Sequence, residues 1–325
     1  MSERPAGERD EPRVSVIVAA YDLGRWALLE RALSSALAQS PRPQVVLAVD
    51  NNAELFARAS EEFPGVEVVL NARGRGASTT RNTGAAAAGG DYLAFLDDDA
   101  EATPGWLAGL VAPLLADPSV IGVGGGVEPS WPEEAPRWFP MEFAWVVGAS
   151  YTGMPTTGAP VRNVWSENMA VRASEFHGIG GFREGFGKVG ESSRPEDTEF
   201  CLRLQAAHPR GRWWYEPAAL IRHHVPAERA TVAFFLRRCL AEGRGKAALA
   251  EHVGRHDALE TERSYVARTL TAGAARGLSL ALRGDVTGLA RSAAILAGGG
   301  LAAGGYVLEA ARSRRAARPT AAGAE

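Results

Sequence analysis

Residues Asn71–Ala100 read NARGRGASTTRNTGAAAAGGDYLAFLDDDA. The Ala-rich run Thr79–Ala88 favours helix, Gly89 and Gly90 break it, and Tyr92–Leu96 is a short apolar run of the kind that forms a buried strand. Asp97, Asp98 and Asp99 follow that strand without a spacer. Three adjacent carboxylates repel one another, so the cluster is costly unless a cation offsets it. Hard oxygen donors in small number suit Mg²⁺ or Mn²⁺, with water or phosphate oxygens completing the shell. In extended backbone residues i and i+2 point the same way, which predicts Asp97 and Asp99 facing one site and Asp98 facing elsewhere. The alternative use of the cluster is a solvated loop that caps the helix beginning near Pro104.

The same alternation continues on both sides. Strands are predicted at Val14–Ala20, Gln44–Val49, Val66–Leu70 and Ser119–Val123, with helices at Trp26–Gln39, Ala53–Phe63 and Pro104–Leu115. Such alternation predicts an α/β fold with a mostly parallel central sheet flanked by helices, and ligands beyond the carboxyl ends of its strands. From Gly124 to about Val161 the period is lost among Pro, Gly and the tryptophans Trp131, Trp138 and Trp145. Strand character returns over 161–174, a helix is predicted at Glu196–Ala207, and a strand near Ala219–His224. Three helices then follow, at Thr231–Val253, Glu260–Leu282 and Asp285–Arg312. The expected organisation is a disordered N-terminus over 1–12, a catalytic domain over 13–227, a helical C-terminal region over 228–312 and a disordered tail over 313–325.

Composition excludes several classes. The 325 residues carry 38 acidic and 35 basic side chains, a net charge of −3, without the basic excess of a nucleic-acid-binding surface. Only two of the basic residues are lysines, Lys188 and Lys246. Two cysteines, Cys201 and Cys239, make neither a disulfide framework nor a zinc knuckle and read as small buried hydrophobes. The opening MSERPAGERDEP has no apolar core of a secretory signal. The longest uncharged apolar stretch, Ala293–Leu308, has 16 residues with five glycines, short of the roughly 20 that span a bilayer. A cytoplasmic chain is the expectation. The phosphatase pattern Asp-x-Asp-x-Thr would need Thr at position 101, where Glu101 stands; AAYDLG lacks the dinucleotide glycines; and no P-loop occurs. Gly74 and Gly76 read as a turn that brings Arg73 and Arg75 near something anionic.

The segments VSVIVAAYDLGRWALLERALSSALAQ, VVLAVDNN, NARGRGASTTRNTGAAAAGGDYLAFLDDDA, SENMAVRASEFHGIGGF and PEDTEFCLRL, in that order, resemble the family 2 glycosyltransferases over roughly residues 13–230. HHVPAERATVAFFLRRCLAEGRGKAALA is similar to a bacterial subgroup of them. The resemblance implies the GT-A fold of nucleotide-diphospho-sugar transferases, here with a helical C-terminal extension. It also implies residue roles. Ala20, Tyr21 and Asp22 would contact the nucleotide; Asp50 would accept a hydrogen bond from the base; Arg81 would meet the nucleotide or diphosphate. Asp97 and Asp99 match the DxD motif that binds ribose and diphosphate through Mn²⁺ or Mg²⁺, with Asp98 between them. Asp197 would be the general base that deprotonates an acceptor hydroxyl, in a single displacement with inversion, and Glu196 would orient the acceptor. Glu167 and Asn168 would lie near the donor sugar or acceptor, and His223 or His224 would be a third metal ligand or a diphosphate contact.

Each of these residues has a plainer use. Glu196 and Asp197 also suit the first turn of a helix, the histidines a hydrogen-bonded surface pair, and the tryptophans ordinary packing rather than sugar stacking. The implied reaction moves a sugar from a UDP-, GDP- or dTDP-sugar to a hydroxyl on a polysaccharide, lipid carrier or natural product. A nucleotidyltransferase and a non-catalytic nucleotide-sugar-binding protein are the alternatives. The first would carry a Gly-rich basic loop after strand one, which AAYDLGRW lacks. Residues 293–308 and the following Arg312, Arg314, Arg315 and Arg318 fit peripheral contact with an anionic inner membrane face, packing on the catalytic domain, or a homodimer contact.

Overall fold

The computed structural model describes residues 12–189, 192–253 and 265–316. It divides into two compact units. Residues up to Gly126, Thr157–Ser192 and Glu196–Ile221 form the first; Val127–Thr156, Ser193–Pro195 and the chain from Arg222 form the second. The boundary expected at 227 is therefore not a single cut, because residues 127–156 belong with the C-terminal helices. The expected disordered ends lie mostly outside the described residues.

In chain order the elements of the first unit are β1 (Val14–Ala20), α1 (Trp26–Leu37), β2 (Gln44–Asp50), α2 (Ala53–Glu62), β3 (Glu67–Asn71), α3 (Ala77–Ala87), β4 (Tyr92–Asp97), β5 (Ala100–Ala102), α4 (Trp106–Ala116) and β6 (Val120–Ser130). Next come β7 (Ala159–Val161), β8 (Asn168–Arg172), α5 (Ala173–Gly178), the short strands β9 (Gly187–Val189) and β10 (Ser192–Arg194), α6 (Glu196–Ala207) and β11 (Arg212–His224). The last residues of β6, β10 and β11 are counted in the second unit. The main sheet has the order β3-β2-β1-β4-β8-β6-β11-β5, with β7 on β11. β1 pairs in parallel with β2 and β4, while β8 runs antiparallel to β4 and β6. The mostly parallel half is the one whose alternation the sequence shows.

Local chemistry explains these elements. Every residue of β1 except Ala19 is buried, as its β-branched run requires. α1 buries Leu29, Ala32, Leu33 and Ala36, a stripe at helical spacing. Asn52 caps α2 by accepting from the Leu55 N–H at 3.0 Å. α3 packs tightly because Gly84 has no side chain; a Cβ there would lie 2.6 Å from Ile17 Cγ2. β6 runs on past Val123 through Gly124, Gly125 and Gly126, where the sequence predicts irregular chain. Neighbours fill the space its side chains would occupy: a Cβ on Gly122 would meet the Trp213 ring, and one on Gly125 the Asn168 amide. An aromatic core of Phe95, Phe176, Phe182, Phe200 and Trp213, with the buried Cys201, backs the sheet.

The second unit is mainly helical. It contains α7 (Val232–Val253), a π-helical turn (Tyr265–Leu270), α8 (Thr271–Leu282) and α9 (Thr287–Ala316). Its glycines act as close-packing points: a Cβ on Gly243 would overlap the Ala302 carbonyl, and one on Gly305 the Leu240 carbonyl. Phe139, Phe143, Phe235 and Trp138 form its aromatic cluster, and Trp131 packs edge-on to Phe139. Trp145 tilts against Phe143. All three tryptophans make aromatic contacts within this unit. α9 is longer than the apolar run suggested: over Thr287–Arg314 it is long and apolar enough to cross a membrane by length and composition.

Candidate active site

The carboxyl ends of β1, β2 and β4 gather the predicted residues of the first unit. β1 delivers buried Ala20, then half-exposed Tyr21 and Asp22. Asp22 Oδ1 accepts the Gly24 N–H at 2.9 Å and so caps the 3-10 turn Leu23–Arg25. Asn52 donates to the Tyr21 carbonyl at 3.0 Å, tying this segment to the start of α2. Asp50, expected to meet the base, already accepts three hydrogen bonds from the fold: Gly76 N–H at 2.9 Å, Asn71 Nδ2 at 3.1 Å and Asn51 Nδ2 at 2.8 Å. It thereby holds the Gly-rich turn that precedes α3, in which Gly76 has φ 121°, a value side-chain-bearing residues rarely adopt.

Two arginines organise the acidic residues. Arg81, on α3 and buried, donates to Asp97 Oδ1 at 2.6 Å and pairs with Glu196 Oε1 at 3.5 Å. Arg25 pairs with Asp98 Oδ1 at 2.9 Å and with Asp99. This corrects the expected alternation of the triplet. β4 ends at Asp97, and Asp98 and Asp99 form a turn before β5, so the two-residue strand period does not reach them. Asp98 and Asp99 share one guanidinium, and Asp97 is held by the other. Arg81, expected to meet the nucleotide or diphosphate, has its guanidinium on Asp97 and Glu196.

Glu196 and Asp197 open α6. Asp197 Oδ1 accepts the Ser166 N–H at 2.9 Å. Burial is the largest cause that raises Asp197 above the ordinary carboxylate range, with Arg81 and the Ser166 hydrogen bond pulling it back. Burial and the neighbouring Asp197 likewise raise Glu196. Burial pushes Asp98 up to about 7 against the pull of Arg25. Four carboxylates thus pair with two guanidinium groups, with Asp197 buried beside Arg81 as a fifth, and this region of the first unit is short of positive charge.

That shortage bears on a metal. Among the described residues no three His, Cys, Asp or Glu side chains form a ready-made cage. The donor set nevertheless fits a hard divalent cation that takes few protein ligands and leaves positions for phosphate oxygens. Asp98 Oδ2 is buried without a hydrogen-bond partner, and a guanidinium already stands where a cation would offset Asp98 and Asp99. The residues fit the group.

The remaining expected residues stand on or beside β8 and at the end of β11. Asn168 is 1% exposed, and its amide is spent inside the fold: Trp106 Nε1 donates to it at 2.7 Å, and it donates to the Gly126 and Ala219 carbonyls at 2.8 and 3.0 Å. It is a core residue rather than a donor-sugar contact, because both amide protons are already used. Glu167 beside it is half-buried. His223 and His224 belong to the second unit, His223 buried and His224 half-buried. The sequence reading missed Arg25 and the Ser166 N–H. The first lies 74 positions from its carboxylate partner, and the second is a backbone group with no residue signature.

The chain belongs to glycosyl transferase family 2, whose pattern matches residues 15–178. It is 31% identical over 239 residues to the glucosyl-dolichyl phosphate glucuronosyltransferase of Haloferax volcanii, covering 72% of this chain and 76% of that one. Two solved structures share its fold. The mannosyltransferase of Pyrobaculum calidifontis in complex with GDP-Man and Mn²⁺ has a TM-score of 0.54 at 20% identity, covering 89% of this chain and 86% of that one. GalNAc-T7 with UDP, GalNAc and Mn²⁺ has a TM-score of 0.53 at 19% identity, covering 75% of this chain and 51% of that one. The protein is therefore a glycosyltransferase with the GT-A fold, its sheet mixed through β8 and its C-terminal region helical. Family membership decides against the nucleotidyltransferase and the non-catalytic binder.

Proposed function

We propose that the protein is a divalent-metal-dependent, inverting glycosyltransferase that moves a sugar from a nucleoside-diphosphate donor to a hydroxyl of a lipid-linked acceptor. The observation that carries the reaction is the single buried Arg81, which ties Asp97 at the end of β4 to Glu196 at the start of α6. That tie supports a donor end and an acceptor end of one site. Asp197 takes the proton of the acceptor hydroxyl, and the acceptor oxygen forms its bond to the anomeric carbon. The bond from that carbon to the diphosphate oxygen breaks on the opposite face, which inverts the centre. Asp98 and Asp99, the pair bridged by Arg25, would hold Mn²⁺ or Mg²⁺, which supplies charge for the departing diphosphate, while Asp97 stays on Arg81. The Ser166 N–H fixes Asp197, and Glu196 beside it orients the acceptor. A thermal-shift series with UDP-, GDP- and dTDP-sugars, each with and without Mn²⁺, tests this reading. One donor is expected to raise Tm only when Mn²⁺ is present, because a ligand that binds only the folded state stabilises it. No shift with any donor, or a shift indifferent to the metal, would count against it.

The lipid-linked acceptor rests on the second unit and on the dolichyl phosphate named for the Haloferax relative. Leu278 and Leu282 of α8, Val286, and Leu289, Leu296, Val307 and Leu308 of α9 are exposed, Leu282 by 90%. Arg283, Arg312 and Arg314 are exposed near the ends of this apolar surface. An apolar face with flanking arginines suits the surface of an anionic bilayer. The full chain is expected to co-sediment with phosphatidylglycerol vesicles and much less with phosphatidylcholine ones. Leu282→Glu with Leu296→Glu should lower that binding about tenfold or more, since each removes buried apolar area and adds repulsion from the anionic headgroups. Unchanged sedimentation would remove the membrane from the reading.

A further inference from the structure

We infer that Arg25 is the resident counter-ion of the metal-site carboxylates, which a divalent cation must displace before the donor's diphosphate can be held. The inference rests on the metal-dependent reading above and extends it to a residue that the family resemblance left unassigned. Arg25 closes the short turn Leu23–Arg25, which Asp22 caps through the Gly24 N–H. From there its guanidinium reaches across the site, with Nη1 2.9 Å from Asp98 Oδ1 and Nη2 on Asp99. Its side chain is 22% exposed, against 6% for each of the two aspartates, so it covers them from the solvent side. The guanidinium also lies 6.0 Å from the ring of half-exposed Tyr21, in the segment expected to receive the base.

Arg25 offsets the cluster incompletely. Asp98 Oδ2 stays buried without a hydrogen-bond partner. A planar guanidinium donates along fixed directions, whereas a metal ion collects oxygens from several directions at once. A divalent cation on Asp99 would place like charge beside the guanidinium and drive it off. The freed side chain remains on the Tyr21–Arg25 segment, where a planar fork suits a phosphate. Metal alone therefore binds against a competing cation of the protein's own. Metal arriving with a diphosphate gives the displaced arginine a new partner, so the two ligands enter together.

Titration of Mn²⁺ into the full-length protein, followed by the electron paramagnetic resonance signal of the free ion, tests this without any turnover. Arg25→Gln is expected to bind Mn²⁺ alone about ten- to hundredfold more tightly than the wild type, the size of one charge-assisted contact released. Arg25→Lys, which keeps a positive charge and safeguards folding, should fall between them because a point charge cannot bridge both carboxylates. With UDP or GDP added, the wild type should gain more Mn²⁺ affinity than Arg25→Gln does. Equal or weaker Mn²⁺ binding in both variants overturns the inference while leaving the metal-dependent reading intact. No Mn²⁺ binding by any of the three proteins, with or without UDP or GDP, overturns both.

Discussion

Asp197→Asn is expected to lower kcat by about 10²- to 10⁴-fold, the range that general-base catalysis supplies, while affinity for the sugar nucleotide is unchanged. The substitution is isosteric, and the asparagine oxygen can still accept the Ser166 N–H that now reaches Asp197 at 2.9 Å. Position and shape are kept, and only the capacity to take a proton is lost. The pH profile separates this role from a structural one. Burial raises Asp197, and Arg81 and the Ser166 hydrogen bond offset that only in part. A raised carboxyl holds its proton above pH 4, where an exposed aspartate has already lost it. Below its raised value Asp197 cannot act as a base, so wild-type kcat should climb as pH rises through that range. The residual rate of Asp197→Asn should lack this limb. Turnover by the variant at the wild-type rate, or an acidic limb that Asp197→Asn keeps unchanged, would remove Asp197 from the role. Nucleoside diphosphate release and calorimetric donor binding, each measured across pH, give the two readouts.

The limits of the sequence reading are themselves physical. β1, β2 and β4 are legible as continuous apolar runs buried on both faces, and α1 and α2 as apolar positions at helical spacing, because both patterns are printed in consecutive residues. Asp97, Asp98 and Asp99 announce a charged site for the same local reason. Their directions do not follow, because a period of two holds only while the strand lasts and β4 stops at Asp97. The glycines of β6 carry no strand pattern in the sequence. Only the Trp213 ring and the Asn168 amide, brought in from other strands, show why backbone without side chains persists there as a strand. Asn168 stands in SENMAV, a segment whose resemblance implies a place near the donor sugar or acceptor. Its actual partners are Trp106, Gly126 and Ala219, all distant in the chain. Arg25 and Arg81 show the same rule from the other side. Arginine is abundant throughout this chain, so composition hides the two that matter. What distinguishes them is which carboxylates they reach, and that is a property of the sheet.

Arg81→Met is expected to be the most destabilising single change at the site. Arg81 is buried and burial works against its charge, yet Asp97 and Glu196 keep it firmly protonated. Removing it leaves two carboxylates facing one another in a poorly solvated place, and breaking a buried pair from one side costs about 3–5 kcal/mol. Glu196 can soften the loss by keeping its proton, which sets the sign of the pH dependence. Without Arg81 the native state holds that proton more tightly than the unfolded chain does. Stability lost by the variant should then be smaller at pH 5.5 and larger at pH 8, where Glu196 has to ionise. The double variant Arg81→Met/Glu196→Gln should recover part of the loss, since one uncompensated carboxylate is gone. Arg81→Lys should fall between wild type and Arg81→Met, because one ammonium cannot reach Asp97 at 2.6 Å and Glu196 on its other side with the same fork geometry. Urea denaturation of the four proteins at both pH values measures all of this. Activity should vanish in Arg81→Met even where it stays folded, because the residue that aligns the donor-side aspartate with the acceptor-side helix is the one removed. A variant within about 0.5 kcal/mol of wild type at both pH values, the range of an ordinary surface substitution, would mean that Arg81 is not the strut between the two.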